Sequence, residues 1–339
     1  MKGYKAFVYC KYRQQALAHN LILIYSKKTI NSLFSYFEGG VEKVNVLITG
    51  STGFVGTALC KFLKQKGFDV FALARRESIY KIAHIKGIEI IPTDISSPES
   101  LSISYPQADV VVHLAGIFRE FKRKKIDFET SNFLSTKHAL IIAEKISARK
   151  FIFLSALGAS PYSKIKFLRS KSICEELIKN FPFDYLILRT PLIYGKGDNS
   201  TAHFIKLANS SIVPLIANRH KKIKPLFVED LLEAIHTIIK EDNTISRTLD
   251  LEGPQEMTYK EMIETIAKIS GKTPHFFYLP RIPLRLVTRA LERFSFYPIS
   301  SDQLSMMDEE EVKSEDFLKY YPIERHSYMN GIKKILGEA

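Results

Sequence analysis

Between Val44 and Arg189 two kinds of apolar pattern alternate along the chain. Short, near-continuous apolar runs come first in each pair: "VNVLIT", "DVFALA", "IEIIP", "DVVVHLAG", "KFIFLSA" and "DYLILR". Runs of this length read as strands buried on both faces. Between them, stretches such as "VGTALCKFLKQKG", "NFLSTKHALIIAEKI" and "SKSICEELIKN" space their apolar residues as helices do. Gly67 ends the first of these and suits a helix C-cap. Strands each followed by a helix predict an α/β fold, a doubly wound parallel sheet covered on both faces. After Arg189 the rhythm changes to the amphipathic stretches "FVEDLLEAIHTIIK" and "TYKEMIETIAKIS", the second opened by a Thr258/Glu261 capping box. They predict a smaller C-terminal α/β lobe over the open edge of the sheet. The expected division is an N-terminal extension over 1–40, a sheet domain over 41–190 and the lobe over 191–339, with interleaved boundaries.

Composition changes this picture little. Of 339 residues, 45% are hydrophobic and 25% charged, as in an ordinary globular protein. No apolar run approaches the roughly 20 residues of a membrane-spanning helix. Cys10, Cys60 and Cys174 lie far apart in no metal-ligand spacing, so no metal site is expected and a reducing cytoplasm suits them. Charge changes more. Residues 1–40 carry Lys2, Lys5, Lys11, Arg13, Lys27 and Lys28 against Glu38 alone, contributing +5 to a formal charge of +13. Those residues read either as a loosely attached basic extension or as no part of the native product, and they stay outside the fold assignment. The overall balance favours anionic partners: phosphate-bearing ligands, acidic membranes or nucleic acid. An aromatic-basic element for reading nucleic acid is missing, which speaks against the last.

The first strand ends in "ITGSTGFVG", with Gly50, Gly53 and Gly56 between strand and helix. Glycines there let the backbone turn tightly and approach a pyrophosphate, while the helix N-terminus offers free N–H groups and a positive dipole. In a strand–loop–helix context the motif points to a Rossmann-type dinucleotide site over Gly50, Ser51, Thr52, Gly53, Phe54, Val55 and Gly56. At the end of the second strand, where a carboxylate would bind the ribose 2′-hydroxyl of NAD, stand Ala74, Arg75 and Arg76. Arginines there accommodate a 2′-phosphate, so NADP(H) is favoured with NAD(H) as the alternative; the plainer reading is two solvated arginines. Asp94 ends the third strand, placed to accept from the adenine amine, and Ser97-Pro98-Glu99 reads as a capped helix start. His113, within the fourth strand, reads as a core histidine.

"SPYSKIKFLRSK" holds two overlapping frames for the Tyr-x-x-x-Lys spacing that joins a proton-donating phenol to a cofactor-holding amine. One is Tyr162 with Lys166. The other ends on Lys171 and has Phe167 in the tyrosine's place. With "TGSTGFVG", Asp94, "HLAG" and "FLSALGAS", the chain resembles the extended short-chain dehydrogenase/reductase superfamily from about Val44 onward. More narrowly, "SALGAS…LRSKSICEE", "LFVEDLLEAI", "LEGPQEMTYKEMI" and "PISSDQLSMM" resemble the atypical branch containing the nucleotide-binding accessory subunit of respiratory complex I. That resemblance puts the family lysine at Lys171, the helix acid at Glu175 and Phe167 at the tyrosine position. It implies that Lys171 holds the nicotinamide ribose, that Ser155 lies near the catalytic serine position, and that Ile95, Leu114, Ala115, Gly116, Pro191 and Ile193 meet the cofactor. A phenylalanine keeps the ring and loses the acid, which costs on the order of 10²–10⁴-fold in rate. Nothing in the sequence places the phenol of Tyr162 or Tyr194 at the nicotinamide.

"RIPLRLVTRALERFSF" carries Arg281, Arg285, Arg289 and Arg293 at four-residue spacing, opposite Leu284, Val287, Leu291 and Phe294. Such a helix either presents a solvated arginine face or lies on an anionic membrane or acidic partner subunit. The resemblance implies a membrane-bound respiratory complex as partner and a place at the inner membrane's surface. The expectation is thus an NADP(H)-binding, weakly or non-catalytic accessory protein. The alternative is an NAD(P)H-dependent reductase or sugar-nucleotide epimerase/dehydratase working with Tyr162.

Overall fold

The computed structural model describes residues 43–121, 126–216, 221–241, 246–279 and 313–338. The basic extension over 1–40 and the Arg281–Arg293 stripe lie outside the described residues.

From Asn45 on, the first six strands are β1 (Asn45–Thr49), β2 (Asp69–Ala74), β3 (Glu89–Pro92), β4 (Val110–His113), β5 (Lys150–Ala156) and β6 (Asp184–Thr190). Helices α1 (Phe54–Gln65), α2 (Ser135–Lys145) and α3 (Lys166–Lys179) lie between them. Farther along come β7 (Ile193–Tyr194), α4 (Asn199–Ala208), β8 (Ile212–Ile216), β9 (Leu226–Phe227) and α5 (Val228–Lys240). They are followed by β10 (Arg247–Asp250), α6 (Tyr259–Ile269), β11 (His275–Leu279), β12 (Glu315–Asp316) and α7 (Tyr328–Leu336).

Eight strands form one parallel sheet in the order β12-β10-β6-β5-β4-β1-β2-β3. The central strands are apolar on both faces because both are covered: every residue of β4 is buried. Leu47, Val111, Phe151, Phe153 and Ile187 pack against Leu140, Ile142, Cys174 and Ile178 of α2 and α3. The chain leaves β1 in one direction and returns at β4 in the other, so the carboxyl ends of β1 and β4 form the topological switch point where such sheets bind ligands. Beyond position 190, β10 and β12 extend this same sheet, while β8 pairs with β11 and β7 with β9.

Polar groups tie the later helices down. The amine of Lys150, at the start of β5, donates to the carbonyls of Ile238 (2.5 Å) and Glu241 (2.6 Å) at the C-terminus of α5. Asp230, buried in the first turn of α5, accepts the backbone N–H of His326 at 2.9 Å, and its other oxygen lies 2.5 Å from that ring's Nδ1. The Thr258/Glu261 capping box forms as expected. Gly67, with φ +91°, follows α1 as its stop signal requires. Two local expectations change. Ser97 stands at the cap position of a 3₁₀ turn, Pro98–Ser102, and its hydroxyl makes no capping bond. The stretch before α2 is wound as a π-helix, Glu129–Leu134, a wider turn that the apolar spacing does not reveal.

Candidate dinucleotide site

The glycine loop is shaped by contacts that exclude side chains. Gly50 has φ +67°, and a Cβ there would lie 2.6 Å from Ala115 N and 2.7 Å from Leu114 C. At Gly50 the chain leaving β1 therefore lies against the backbone leaving β4 with no room for a side chain. A Cβ on Gly56 would collide with the Gly50 carbonyl oxygen and lie 2.8 Å from Ser51 Cα, so this glycine lets α1 close on the loop. Gly53, exposed at the N-cap of α1, offers no side chain to the first helical N–H groups, and it donates its own N–H to Gly50 O at 3.0 Å. A helix start left open by its own cap is what an anion requires. Val55 is buried, and Thr52 and Phe54 are half-buried. Ser51 is buried and its hydroxyl donates to Leu73 O at 2.7 Å, so that proton is committed within the fold.

Arg75 and Arg76 are exposed just past β2, with Arg75 Nε 3.4 Å from Glu77 Oε1 across two solvated side chains. Asp94 is also exposed, with Oδ1 accepting from Ser96 N–H (3.0 Å) and Ser96 Oγ (2.7 Å); Ile95 is buried behind it. Pro191 and Ile193 are half-buried past the end of β6.

Leu114, Ala115 and Gly116 carry the chain out of β4, Gly116 with φ +156°. A Cβ on Gly116 would lie 3.0 Å from Asn132 Oδ1 and 3.6 Å from Lys171 Nζ. Asn132, buried in the π-helix, accepts Ile117 N–H at 2.7 Å and donates to Ile117 O at 3.1 Å and Ser170 Oγ at 2.9 Å. It locks the β4 exit to α3, and no sequence signal marked it. Lys171 lies on α3, buried, its amine donating to Leu154 O at 2.7 Å and 4.6 Å above the Phe153 ring. Burial lowers its affinity for a proton, with Cys174 and Glu175 pulling the other way.

Phe167 and Lys171 share one face of α3, a turn apart, whereas Tyr162 precedes the helix and is 92% exposed. Phe167 packs with Ala156, Ile165 and Leu168, its ring 6.2 Å from that of Phe128. Tyr194 is buried between Phe227 and Tyr328, and its hydroxyl has no hydrogen-bond partner among the described residues. Ser155 is buried, and its hydroxyl donates to Glu175 Oε1 at 2.5 Å. The same carboxylate is gripped by Arg189, Nε to Oε1 at 2.9 Å and a terminal nitrogen to Oε2 at 2.6 Å. His113, fully buried, sits between Thr49 Oγ1 (2.7 Å) and Thr136 Oγ1 (3.1 Å), and burial presses its pKa down to about 3; it is a core histidine. Among the described residues, His, Cys, Asp and Glu form no metal-holding group, and no helix is long and apolar enough to cross a membrane.

The model of the NAD dependent epimerase/dehydratase family matches residues 46–250, more than half the chain. A mitochondrial NADH dehydrogenase [ubiquinone] 1 alpha subcomplex subunit 9 from Arabidopsis thaliana is 28% identical, over 83% of this chain and 73% of its own. A ceramide reductase of Caulobacter vibrioides is 27% identical over 69% of this chain and 73% of its own. Among solved structures, an epimerase from Methanothermobacter thermautotrophicus superposes with TM-score 0.68, covering 86% of this chain and 91% of that one at 19% identity, a likeness of fold.

Proposed function

The chain belongs to the NAD-dependent epimerase/dehydratase family, and from that premise we propose that it binds NADP(H) at the β1–α1 loop and serves as an accessory protein with little or no catalysis of its own. The observation that carries this reading is the pair of hydrogen-bond donors missing beside Lys171, where the family resemblance puts the nicotinamide. Phe167 stands one turn before Lys171 with no hydroxyl, and the Ser155 hydroxyl is already given to Glu175. A bound nicotinamide would supply hydride chemistry there. The chain offers it a ribose partner in Lys171 but no positioned proton for a substrate oxygen, the group that general-acid catalysis needs.

Residues fit the cofactor along its length. Backbone N–H groups at the start of α1 would take the pyrophosphate, with Gly50, Gly53 and Gly56 giving it room. Arg75 and Arg76 would take a 2′-phosphate, since the Arg75–Glu77 contact is exposed and such pairs are worth only about 0–1 kcal/mol. Asp94 would meet the adenine. Leu114, Ala115, Gly116, Pro191 and Ile193 would line the path to the nicotinamide.

The Arabidopsis relative, a subunit of NADH dehydrogenase, supports association with a respiratory assembly. The Caulobacter relative supports a reductase instead, and that reading requires a donor other than Phe167. Tyr162 is the sequence's candidate, although it stands outside the helix and 92% exposed.

The test is a titration with NADPH and NADH, read by cofactor fluorescence in a protein that contains no tryptophan. NADPH should bind more tightly than NADH, and Arg75→Ala/Arg76→Ala should erase the difference. Equal affinities in the wild type would remove the 2′-phosphate assignment, and no binding of either would reduce the loop to a feature of the fold.

A further inference from the structure

Ser155, Arg189 and Asp250 stand side by side in register on β5, β6 and β10. Glu175 reaches this row from α3, and Ser314 reaches it from the segment that enters β12. Glu175 is 1% exposed and needs a cation. Two cations are within its reach. Lys171 is four residues earlier on the same helix, the spacing at which side chains meet. Arg189 comes from the sheet below, and it has won. Its guanidinium fills both carboxylate oxygens while Ser155 takes a second site on Oε1. Lys171 turns away instead and donates to Leu154 O at 2.7 Å, beside Gly116.

We propose that Arg189 is the positioning residue for Lys171: by clamping Glu175 it keeps the carboxylate off the amine and leaves that amine directed at the carboxyl edge of the sheet, where a ligand ribose would meet it. This rests on the cofactor reading above and adds to it a residue that touches no ligand. Arg189 is itself held by a fixed set of groups. Its remaining terminal nitrogen donates to Ser314 Oγ at 3.0 Å, and Ser314 N–H donates to Asp250 Oδ2 at 2.7 Å. The C-terminal segment thereby helps set where Arg189, and through it Lys171, can lie. A bidentate guanidinium–carboxylate pair is planar and directional, which an ammonium in the same place is not.

Three variants test this: Arg189→Met, Glu175→Gln, and both together. The readouts are NADPH affinity and the titration of Lys171 in the free protein, followed by NMR of ¹³C-labelled lysine side chains. Arg189→Met should let Glu175 pair with Lys171, raising the lysine's pKa and weakening NADPH by about tenfold or more, a step of about 1.4 kcal/mol. The double variant removes the rival carboxylate, so it should return both readouts to near wild type. A merely structural Arg189 would leave Lys171's titration unmoved in Arg189→Met, and that result overturns the proposal.

Removing one partner of a buried pair destabilises more than removing both, so the single arginine variant is the one most exposed to misfolding. Should it not fold, Glu175→Gln and the double variant still decide. Glu175→Gln should lower the Lys171 pKa, because it removes a carboxylate that raises it, and the double variant should return it toward wild type. Both should keep NADPH binding, and its loss in the double variant alone would mean that Arg189 serves the ligand directly. A wild type that binds no dinucleotide retires the cofactor reading, while the Lys171 titration, made without ligand, continues to test the clamp.

Discussion

Phe167 shows how much chemistry one atom can carry. Its ring sits half-buried against Phe128, Ala156, Ile165 and Leu168, on the same helix face as Lys171. Everything around it is built to hold an aromatic ring, and only the hydroxyl is absent. Phe167→Tyr is therefore expected to fold and to raise NADPH-dependent turnover of simple aldehydes and ketones by on the order of 10²-fold, the low end of what a positioned acid contributes. Turnover would be followed at 340 nm. If the variant turned over no faster than the wild type, the proposal that the missing phenol limits catalysis would fail, and the commitment of Ser155 to Glu175 would be tested next. The spacing of Phe167 and Lys171 is local, and the family resemblance chose that frame over Tyr162 with Lys166, whereas nothing in the sequence marked Asn132. Its amide gains its role from Ile117 and Ser170, 15 and 38 residues away.

At the scale of elements, the β1–loop–α1 unit was readable throughout: apolar strand, three glycines, amphipathic helix and Gly67 as the stop. The structure adds the reason each glycine stands where it does. Gly56 is the sharpest case, because two physical effects oppose one another there. Alanine within a helix is favoured over glycine by about 1 kcal/mol. Yet at Gly56 the added Cβ would collide with Gly50 O and crowd Ser51 Cα at 2.8 Å, both rigid backbone. Overpacking of this kind costs about 1–3 kcal/mol, so the collision wins. Gly56→Ala should lower the melting temperature and, if the loop takes the phosphates as proposed, weaken NADPH at the same time, because that loop is the one that must move. A variant of unchanged stability and affinity would show that α1 can shift away freely. The elements that sequence reading described less well are those where hydrogen bonding departs from the common helix: the 3₁₀ turn at Pro98–Ser102 and the π-helix at Glu129–Leu134.

For the molecule as a whole, two buried titrating groups act on stability in opposite directions. His113 is held neutral, with its pKa pressed by burial to about 3 against an ordinary 6.5. Below about pH 6.5 the unfolded chain takes up a proton that the folded one refuses, so this group's contribution to stability falls as pH falls. Asp250 is pushed by burial up to about 6 against an ordinary 3.8, with the Ser314 hydrogen bond and Arg189 opposing. Here the folded state binds the proton first, so stability from this group rises as pH falls from about 6 toward 4. Each full unit of such a window is worth about 1.4 kcal/mol. In urea unfolding at a series of pH values, wild type should gain on Asp250→Asn as pH drops from about 6 to about 4. It should lose on His113→Asn below about 6.5. A difference between wild type and either variant that stays flat across those windows would show that the group titrates alike folded and unfolded.

By itself the sequence determined the alternation of strand and helix, and hence a parallel sheet wound on both sides, because apolar period and glycine placement are properties of neighbouring residues. It likewise carried the glycine loop after β1, the arginines past β2 and, through the family resemblance, Phe167 one turn before Lys171. Tertiary structure alone decided which charges meet. Ser155, Glu175, Arg189, Asp250 and Ser314 span 160 positions of chain, and nothing in any local window marks them as one cluster. Their union follows from strand order and register, which set β5, β6 and β10 side by side and lay α3 across them. Long-range pairing of this kind depends on how the whole sheet closes, and that is why Glu175 could be seen as a helix acid in the sequence while its grip on Ser155, and Arg189's grip on it, could not.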